Sequence, residues 1–308
     1  MQKTKIEWTD MSWNPVRARN TRSKDRRTGT FCTRISPGCK NCYASTINRR
    51  FGTGDEYEVP NLAHHEFFLS DKILAEPVQR KKPARIFVGD MFDLFHEQIP
   101  VGFIAEVLRV ALKTPRHTFQ FLTKRAERMR VLVNNAQEHW GVTFGDHMHF
   151  GVSVEDQKRA LERIPRLQET RAAVRFLSVE PQLEHIDLGH DTPEVGWISY
   201  LRGFDGCDPI IPGIDWVICG GESGPGARPF NLAWAESLLA QCRDADVPYF
   251  FKQMGSRPYA SKDSPSFSFN TLVFPSMRKD RMKGGDPEDW PEHLRVREFL
   301  AAQVEALA

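Results

Sequence analysis

The sequence predicts an α/β fold in which about six parallel strands form a partial (βα) barrel, with an N-terminal cysteine loop and a C-terminal extension. Six short apolar runs, rich in β-branched and aromatic residues, follow one another from about residue 83 onward. Continuous apolar runs of this length are typical of strands that are buried on both faces. Amphipathic segments alternate with them, which indicates right-handed βαβ units and a parallel sheet. A doubly wound open sheet is the alternative fold.

The predicted elements follow this alternation along the chain. The strands are 85–90, 118–124, 150–155, 174–180, 216–220 and 249–252. Apolar residues at helical spacing predict helices around 104–111 and over 126–139, 156–164 and 232–242. Asn231 is the expected N-cap of the last helix. Pro165 is expected to end the third helix, because proline breaks the helical hydrogen-bond pattern.

The domain organisation predicted from these elements is one main body followed by an extension. The main body is 1–255, and it contains the cysteine loop at 30–44 after a first strand. A basic insertion at 17–29 precedes that loop, and residues 256–308 form the C-terminal extension.

Three cysteines, Cys32, Cys39 and Cys42, lie in one segment with the spacing C-x6-C-x2-C. A structural zinc ion normally has four protein ligands, and an electron-carrying iron–sulfur cluster usually has four cysteines. A [4Fe–4S] cluster held by only three cysteines keeps one iron open to a reactive ligand. The spacing therefore favours a chemical role for a cluster over a structural one.

Other interpretations of the cysteine segment stay open. A zinc site is the main alternative, with His64, His65 or Cys207 as a fourth ligand. A chance grouping of structural thiols is another. A disulfide framework is disfavoured because the 308 residues contain six cysteines and the start of the chain lacks the apolar segment of a secretory signal. No run approaches the ~18 apolar residues of a membrane span, so we expect a cytoplasmic protein without membrane contact.

Polar or glycine residues follow each predicted strand at its carboxyl end, where ligands bind in barrels and in open α/β sheets. A purely structural barrel does not need such a group at every strand end, so we expect these residues to line an active site. They are Gly89-Asp90-Met91, Thr123-Lys124-Arg125, Ser153-Val154-Glu155, Glu180-Pro181, Cys219-Gly220-Gly221-Glu222-Ser223 and Lys252-Gln253.

Positive charge is concentrated in residues 17–27, where six basic residues stand against Asp25 alone, although the whole chain has a net charge of only +2. Such a run can contact nucleic-acid phosphates by charge alone, or it can be a solvated surface loop. The six cations are Arg17, Arg19, Arg22, Lys24, Arg26 and Arg27.

Several motifs together resemble a known family. They are Ile6-Glu-Trp-Thr-Asp10, Trp13-Asn-Pro15, Ile35-Ser-Pro-Gly-Cys39-Lys-Asn-Cys42-Tyr-Ala44, Cys219-Gly-Gly-Glu-Ser223, Gly284-Gly-Asp-Pro-Glu-Asp-Trp-Pro291 and Leu294-Arg-Val-Arg-Glu298. With these motifs the chain resembles a phage- and bacterium-encoded family of radical-SAM-like proteins, a phage protein domain of unknown function. The cysteine segment departs from the usual C-x3-C-x2-C spacing, and its aromatic residue, Tyr43, follows the last cysteine instead of preceding it.

The resemblance implies a radical-SAM-like partial barrel with a [4Fe–4S] cluster on Cys32, Cys39 and Cys42. It also implies S-adenosylmethionine, whose amino and carboxylate groups bind the open iron. Reduction by an electron donor protein then cleaves this cofactor to a 5′-deoxyadenosyl radical, which abstracts a substrate hydrogen. The protein positions the reactants, and the cofactors supply the difficult chemistry.

The resemblance also assigns candidate roles at the strand ends. Asp90 is expected to accept a hydrogen bond from the methionyl amino group, and Ser153 and Glu155 to bind the ribose hydroxyls or the carboxylate. Lys124, Arg125 and Lys252 are expected to form a cationic rim for an anionic substrate or for the cofactor carboxylate.

Four further strand-end residues complete the predicted cofactor site. Gly220 and Gly221 would let the backbone approach the adenine, because glycine has no Cβ. Glu180 and Glu222 are the remaining expected cofactor contacts.

The function predicted first is therefore a radical S-adenosylmethionine enzyme that acts on a nucleic acid or a nucleotide, for modification or repair. The second hypothesis is a non-catalytic or redox-sensing iron–sulfur protein that binds nucleic acid. The third is a zinc-containing nucleic-acid-binding module. The polar groups at six strand ends favour the enzyme.

Overall fold

A computed structural model of the protein describes residues 1–193, 196–207, 210–260 and 283–300. The chain forms two compact units. The first is built from Met1–Gly151 together with Thr170–Val174, and the second from Val152–Glu169 and most of the chain after Arg175. Parts of the predicted C-terminal extension, 261–282 and 301–308, lie outside the described residues.

The strands are numbered along the chain. The first eight are β1 (Gln2–Lys3), β2 (Met11–Trp13), β3 (Val16–Asn20), β4 (Thr28–Gly29), β5 (His65–Leu69), β6 (Arg85–Val88), β7 (Thr118–Thr123) and β8 (Met148–Ser153). The others are β9 (Val174–Val179), β10 (Gly189–Thr192), β11 (Gly196–Ser199), β12 (Trp216–Gly220), β13 (Phe230–Asn231), β14 (Tyr249–Gln253) and β15 (Pro258–Tyr259).

The helices are numbered in the same way. They are α1 (Tyr43–Phe51), α2 (Asp71–Leu74), α3 (Glu76–Gln79), α4 (Val101–Leu112), α5 (Ala126–Trp140), α6 (Gln157–Gln168) and α7 (Leu232–Asp244). Within the described ranges, none of the helices has the length and apolarity that crossing a membrane requires.

The main sheet has eight strands in the order β1-β2-β6-β7-β8-β9-β12-β14. β6 is parallel to β2 and β7, and β12 is parallel to β9 and β14, whereas β1 is antiparallel to β2. From β2 onward the neighbours follow chain order, without the reversal that marks a doubly wound sheet. The predicted α/β class with a mostly parallel sheet is confirmed, and each predicted strand overlaps one of β6, β7, β8, β9, β12 and β14.

The basic segment forms regular structure in the first unit. β3 pairs in antiparallel fashion with β4 and with β5 in a three-stranded sheet. Ala18 is fully buried and packs with Phe31 and Tyr57, while its neighbours Arg17 and Arg19 alternate with it along β3. The segment is therefore a strand followed by a turn, and one of its faces belongs to a core.

The four predicted helices correspond to α4, α5, α6 and α7. Asn231 is the N-cap of α7, as expected, because its side chain accepts a hydrogen bond from Ala233 N. The expectation that Pro165 ends the third helix is wrong, since α6 continues to Gln168. Leu167 is fully buried, and the Gln168 side chain donates to carbonyl oxygens, so packing of the last turn offsets the hydrogen bond that proline cannot make.

The described part of the C-terminal extension covers the last strand of the sheet. Phe251 N, on β14, donates to the carbonyl of Val296, and Glu298 N donates to the carbonyl of Tyr249. The Trp290 ring packs against Phe251 with centroids 4.8 Å apart. An edge strand would otherwise expose unpaired backbone groups, so this segment protects the sheet edge.

Candidate functional site

The three cysteines of the C-x6-C-x2-C segment all belong to the first unit. Cys32 follows β4, Cys39 ends a 3-10 turn over Pro37–Cys39, and Cys42 is the N-cap of α1. Each side chain is half-buried. Cys39 and Cys42 both contribute to the electrostatic environment of Cys32. The structure thus brings the three thiols within electrostatic reach of one another.

Burial controls the protonation of these thiols. It raises the pKa of Cys32 to about 12, although the guanidinium of Arg125 opposes the shift. Burial also raises the pKa of Cys42, opposed chiefly by a hydrogen bond from the Ser45 backbone and by the charge of Lys124. Both thiols are therefore protonated at neutral pH without a metal. The neighbouring cations and the first turn of α1 favour the thiolate forms, which are the forms that bind metals.

Arg125 is the buried cation beside Cys32. Only 6% of its surface is exposed, and its Nη1 lies 3.8 Å from Cys32 Sγ and 3.0 Å from Asp93 Oδ2. Nε lies 2.8 Å from Glu97 Oε2, and Nη2 donates to Thr33 Oγ1 at 3.0 Å. Two carboxylates and a hydroxyl therefore fix the guanidinium in the orientation that directs one N–H at the sulfur.

Asp93 holds this arrangement together. Its Oδ1 accepts hydrogen bonds from Thr123 Oγ1 at 2.7 Å and from Phe95 N at 3.0 Å. Its Oδ2 accepts from Lys124 N at 3.2 Å as well as from Arg125. The predicted strand end Thr123–Arg125 is thereby joined to the loop after β6 and to the cysteine segment.

The sequence did not single out Asp93, Glu97 or Thr33. The available signal was the acidic Asp93 within the apolar run Met91-Phe-Asp-Leu-Phe95, since an acid in such a run is normally buried and paired. Nothing in the sequence indicated that Thr33 would contact a residue more than ninety positions away.

Asp90 is also connected to the cysteine segment. Its side chain accepts a hydrogen bond from Asn14 Nδ2 at 2.7 Å, and its carbonyl accepts one from the Tyr43 hydroxyl at 2.6 Å. Gly89 precedes it with φ +79°, a conformation that favours glycine. Burial raises the pKa of Asp90. Two predicted motifs, Trp13-Asn-Pro15 and the residue after the last cysteine, therefore both contact Asp90.

The donor set of the cysteine segment suits soft metals, because it consists of three thiols. In the described ranges, no group of three His, Cys, Asp or Glu side chains is arranged to hold a single metal ion. His65, a candidate fourth zinc ligand, has Nδ1 2.8 Å from the Asn61 carbonyl and its ring stacked on Phe31. His64 is in the first unit and Cys207 in the second, and neither completes such a group.

In the second unit, Glu180, Lys252 and Gln253 converge at three strand ends. Lys252 Nζ donates to the two carboxylate oxygens of Glu180 at 2.6 and 2.8 Å. Gln253 Nε2 donates to Glu180 Oε1 at 3.2 Å and to the carbonyl of Gly221 at 2.8 Å. The ends of β9, β12 and β14 are therefore joined by one polar cluster, as their positions in the sequence predicted.

Ser153 and Glu155 follow β8 and are both buried. Arg163 Nη1, on α6, donates to the Ser153 carbonyl at 2.7 Å and to Glu155 Oε2 at 2.8 Å. The Glu155 carboxylate has no exposed surface, so it forms a buried ion pair that fixes α6 against the end of β8.

The end of β12 is formed by Gly220, and Gly221 and Glu222 follow it. The three residues differ in their surroundings. A Cβ on Gly221 would lie 2.3 Å from the Met254 carbonyl oxygen, so backbone packing alone requires glycine there. A Cβ on Gly220 would meet its nearest atom at 3.3 Å, which leaves more space. Glu222 is bound by Arg228, whose Nε and Nη2 donate to its two carboxylate oxygens at 2.9 and 2.6 Å.

The cations of the basic segment have different environments. Burial lowers the pKa of Arg17, which lies near Tyr57. The charges of three other arginines are partly offset by nearby carboxylates. The pairs are Arg19–Glu66 (3.4 Å), Arg22–Asp55 (3.4 Å) and Arg26–Glu66 (3.8 Å). Lys24 and Arg27 are exposed, and Arg27 Nη2 donates to the Arg50 carbonyl at 3.2 Å.

Comparison with known proteins adds one match. Residues 3–286 match the family described as "Protein of unknown function (DUF5131)". No curated protein and no solved structure matches the chain.

Proposed function

The chain belongs to the DUF5131 family of proteins of unknown function, and we propose that it is a radical S-adenosylmethionine enzyme with a [4Fe–4S] cluster on Cys32, Cys39 and Cys42. The observation that carries the proposal is the group of three half-buried, electrostatically coupled thiols beside Arg125 and the first turn of α1. From β2 onward, neighbouring strands of the main sheet follow one another in the order of the chain. This order supports the partial (βα) barrel that this class of enzyme uses.

Two features favour a cluster over a zinc ion. The thiolates of a [4Fe–4S] cluster bind different iron atoms, so they lie farther apart than the ligands of a single ion. The three thiols are electrostatically coupled to one another, as the ligands of one cluster would be. The segment supplies three cysteines and not four, which leaves one iron of such a cluster open.

Cys32, Cys39 and Cys42 would hold the cluster, which would supply the electron for reductive cleavage of S-adenosylmethionine. The chain's own residues bind and orient the reactants. The Asp90 carboxylate, which accepts a hydrogen bond from Asn14, is proposed to accept one from the methionyl amino group as well. Lys124, whose charge acts on Cys42, is suited to attract an anionic group to the same side of the loop.

In the second unit, the Glu180–Lys252–Gln253 cluster is proposed to contact a polar ligand. It offers a carboxylate, an ammonium and an amide at the ends of β9 and β14. Ser153, Glu155, Gly221 and Glu222 act through packing and ion pairs that hold these strand ends in place.

The test is anaerobic reconstitution with iron and sulfide. We expect about four irons per chain for the wild type, and little iron for Cys32→Ala, Cys39→Ala or Cys42→Ala. Cys242→Ala is the matched control, because this thiol is fully buried on α7 and should not affect iron content. One tightly bound zinc and no iron would overturn the proposal in favour of the zinc module.

The enzymatic half of the proposal has its own test. Adding S-adenosylmethionine to the reduced protein should change the EPR spectrum of the cluster and release 5′-deoxyadenosine. A cluster that does neither would support the second candidate, an iron–sulfur protein that binds nucleic acid without catalysis. The exposed cations of the basic segment favour a nucleic-acid partner under both candidates.

A further inference from the structure

We propose that the exposed face of α1 binds single-stranded nucleic acid by stacking a base on Phe51. This "α1 surface" consists of Ile47 and Phe51 with the cations Arg27, Arg49 and Arg50. The inference rests on the proposed function only in taking nucleic acid as the partner, and it does not depend on the cluster or on catalysis.

Phe51 is the first observation. It ends α1 with 70% of its surface in solvent, and Ile47, one turn earlier, is 43% exposed. The packing residues of α1 are Ala44, Ser45 and Asn48, which are buried. Phe51 therefore contributes little to the core, and its ring is open to a planar ligand.

The cations around this ring are the second observation. The Arg50 guanidinium lies over the Phe51 ring, 4.8 Å from its centroid. Arg27 donates to the Arg50 carbonyl, so the basic turn after β3 continues directly into the α1 surface. Arg49 is 59% exposed and has Glu56 as a partner at 2.6 Å. An exposed aromatic ring with one guanidinium over it and two further exposed arginines in the same region combines the two elements of a single-strand site, a stacking platform and phosphate-binding cations.

The composition of the surface decides the class of partner. The exposed apolar residues of α1 are Tyr43, Ile47 and Phe51, and the exposed cations Arg49 and Arg50 belong to the same nine-residue helix. Phosphates complement these cations, and a free base can stack on the Phe51 ring. A duplex presents phosphates but no free base face, so it could use the arginines and not the ring. A single strand can use both.

The position of the surface connects it with the cysteine loop. α1 begins immediately after Cys42, and Phe51 follows Cys42 by nine residues, or about 13 Å along the helix axis. A strand that binds along α1 therefore passes close to the thiols, which is where a nucleic-acid substrate would need to lie.

The experiment measures binding of fluorescein-labelled oligothymidylate by anisotropy at fixed low salt. Phe51→Ala should weaken binding about fivefold or more, as expected for the loss of one stacked base. Phe51→Trp should retain or strengthen it. The matched control is Trp197→Ala, which removes an aromatic ring that is 57% exposed in the second unit and should change nothing.

Two further measurements separate stacking from charge. Arg50→Gln should weaken binding of both the oligothymidylate and poly-glutamate, whereas Phe51→Ala should affect the oligothymidylate alone. The inference would be overturned if Phe51→Ala and Trp197→Ala changed oligothymidylate binding equally. It would also be overturned if a hairpin duplex bound as tightly as the oligothymidylate and its binding did not depend on Phe51. A wild type that binds no oligonucleotide would overturn the nucleic-acid partner itself, while the iron content would still test the cluster.

Discussion

The guanidinium of Arg125 donates to the thiol sulfur of Cys32 across 93 positions of the chain, with Nη1 3.8 Å from Sγ. Asp93 and Glu97 hold the guanidinium from its other sides. A buried cation fixed beside the sulfur of a proposed metal ligand has two expected effects. It favours the thiolate, and it would stabilise the more negative oxidation state of a metal centre bound there.

The first prediction concerns this contact. In the reconstituted protein, Arg125→Lys should lower the midpoint potential of the cluster by an amount on the order of tens of millivolts, because one N–H bond to a ligand sulfur is lost. An EPR-monitored redox titration measures the shift. Arg163→Lys, which alters a buried arginine–glutamate pair in the second unit, is the control and should leave the potential unchanged. Equal potentials for wild type and Arg125→Lys would contradict the role.

The second prediction concerns the ion pair between Arg163 and Glu155. Arg163→Ala leaves a fully buried carboxylate without this partner, so it should reduce the free energy of unfolding by about 3–5 kcal/mol. Arg166→Ala, on the same helix, removes an exposed pair with Glu169 and should cost less than about 1 kcal/mol. Urea unfolding monitored by circular dichroism gives both values. Similar losses for the two variants would show that the buried pair is not a structural anchor.

How far the sequence predicts this molecule can be judged from particular elements. β6, β7, β8, β9, β12 and β14 were predictable, since continuous apolar runs with polar ends are a local signal. β2 is only three residues long, and β3 alternates arginines with buried residues, so neither has such a run. Their strand character comes from pairing with distant partners, β6 and β5.

The candidate site also has residues that the sequence predicts and residues that it does not. The cysteines were predicted from their spacing, and Asp90, Glu180 and Lys252 from their positions at strand ends, whereas the ion pair between Glu180 and Lys252 was not predicted. The Arg125–Asp93–Thr33 network could not be derived, because its members come from three separate loops and tertiary contacts alone join them. Strand-end position also did not distinguish Glu180 from Glu155, whose carboxylate has no exposed surface.

The third prediction is a pH dependence of the metal-free protein. Burial raises the pKa of Cys32 to about 12, so the neutral thiol predominates at pH 8 and alkylation of Cys32 by iodoacetamide should be slow. Its rate should increase about tenfold per pH unit up to that pKa, as the thiolate fraction does. Mass spectrometry of quenched samples measures the rate at each cysteine. A Cys32 rate that levels off below pH 8 would contradict a raised pKa.

The sign of the stability effect follows from the same shift. A thiol whose pKa is higher in the folded state than in the unfolded state stabilises the fold at pH values below the unfolded value of ~8.5. This contribution is lost as the pH rises toward 12. Metal uptake has the opposite sign, because each ligand must lose its proton, so iron or zinc affinity should increase from pH 6 to pH 8.

The last prediction concerns the exposed cations of the basic segment. If they contact phosphates, log K for a nucleic acid should fall by roughly 0.7–0.9 per neutralised phosphate for each tenfold increase in salt. Arg17 is left out of the variant because it is only partly exposed, and burial lowers its pKa. The variant replaces the four most exposed cations by serine, at Arg22, Lys24, Arg26 and Arg27.

In this fourfold variant, the slope of log K against the logarithm of salt concentration should become less steep by up to about three. The iron content should not change, since none of the four cations is a predicted ligand. The control replaces four exposed lysines of the same unit by serine, at Lys3, Lys81, Lys82 and Lys113. Both variants lose the same charge, so a general electrostatic attraction would reduce the two slopes equally. A larger reduction for the basic segment is expected only if phosphates bind there. Anisotropy titrations over a series of salt concentrations measure the slopes, and equal slopes for the two variants would exclude the segment as a specific contact.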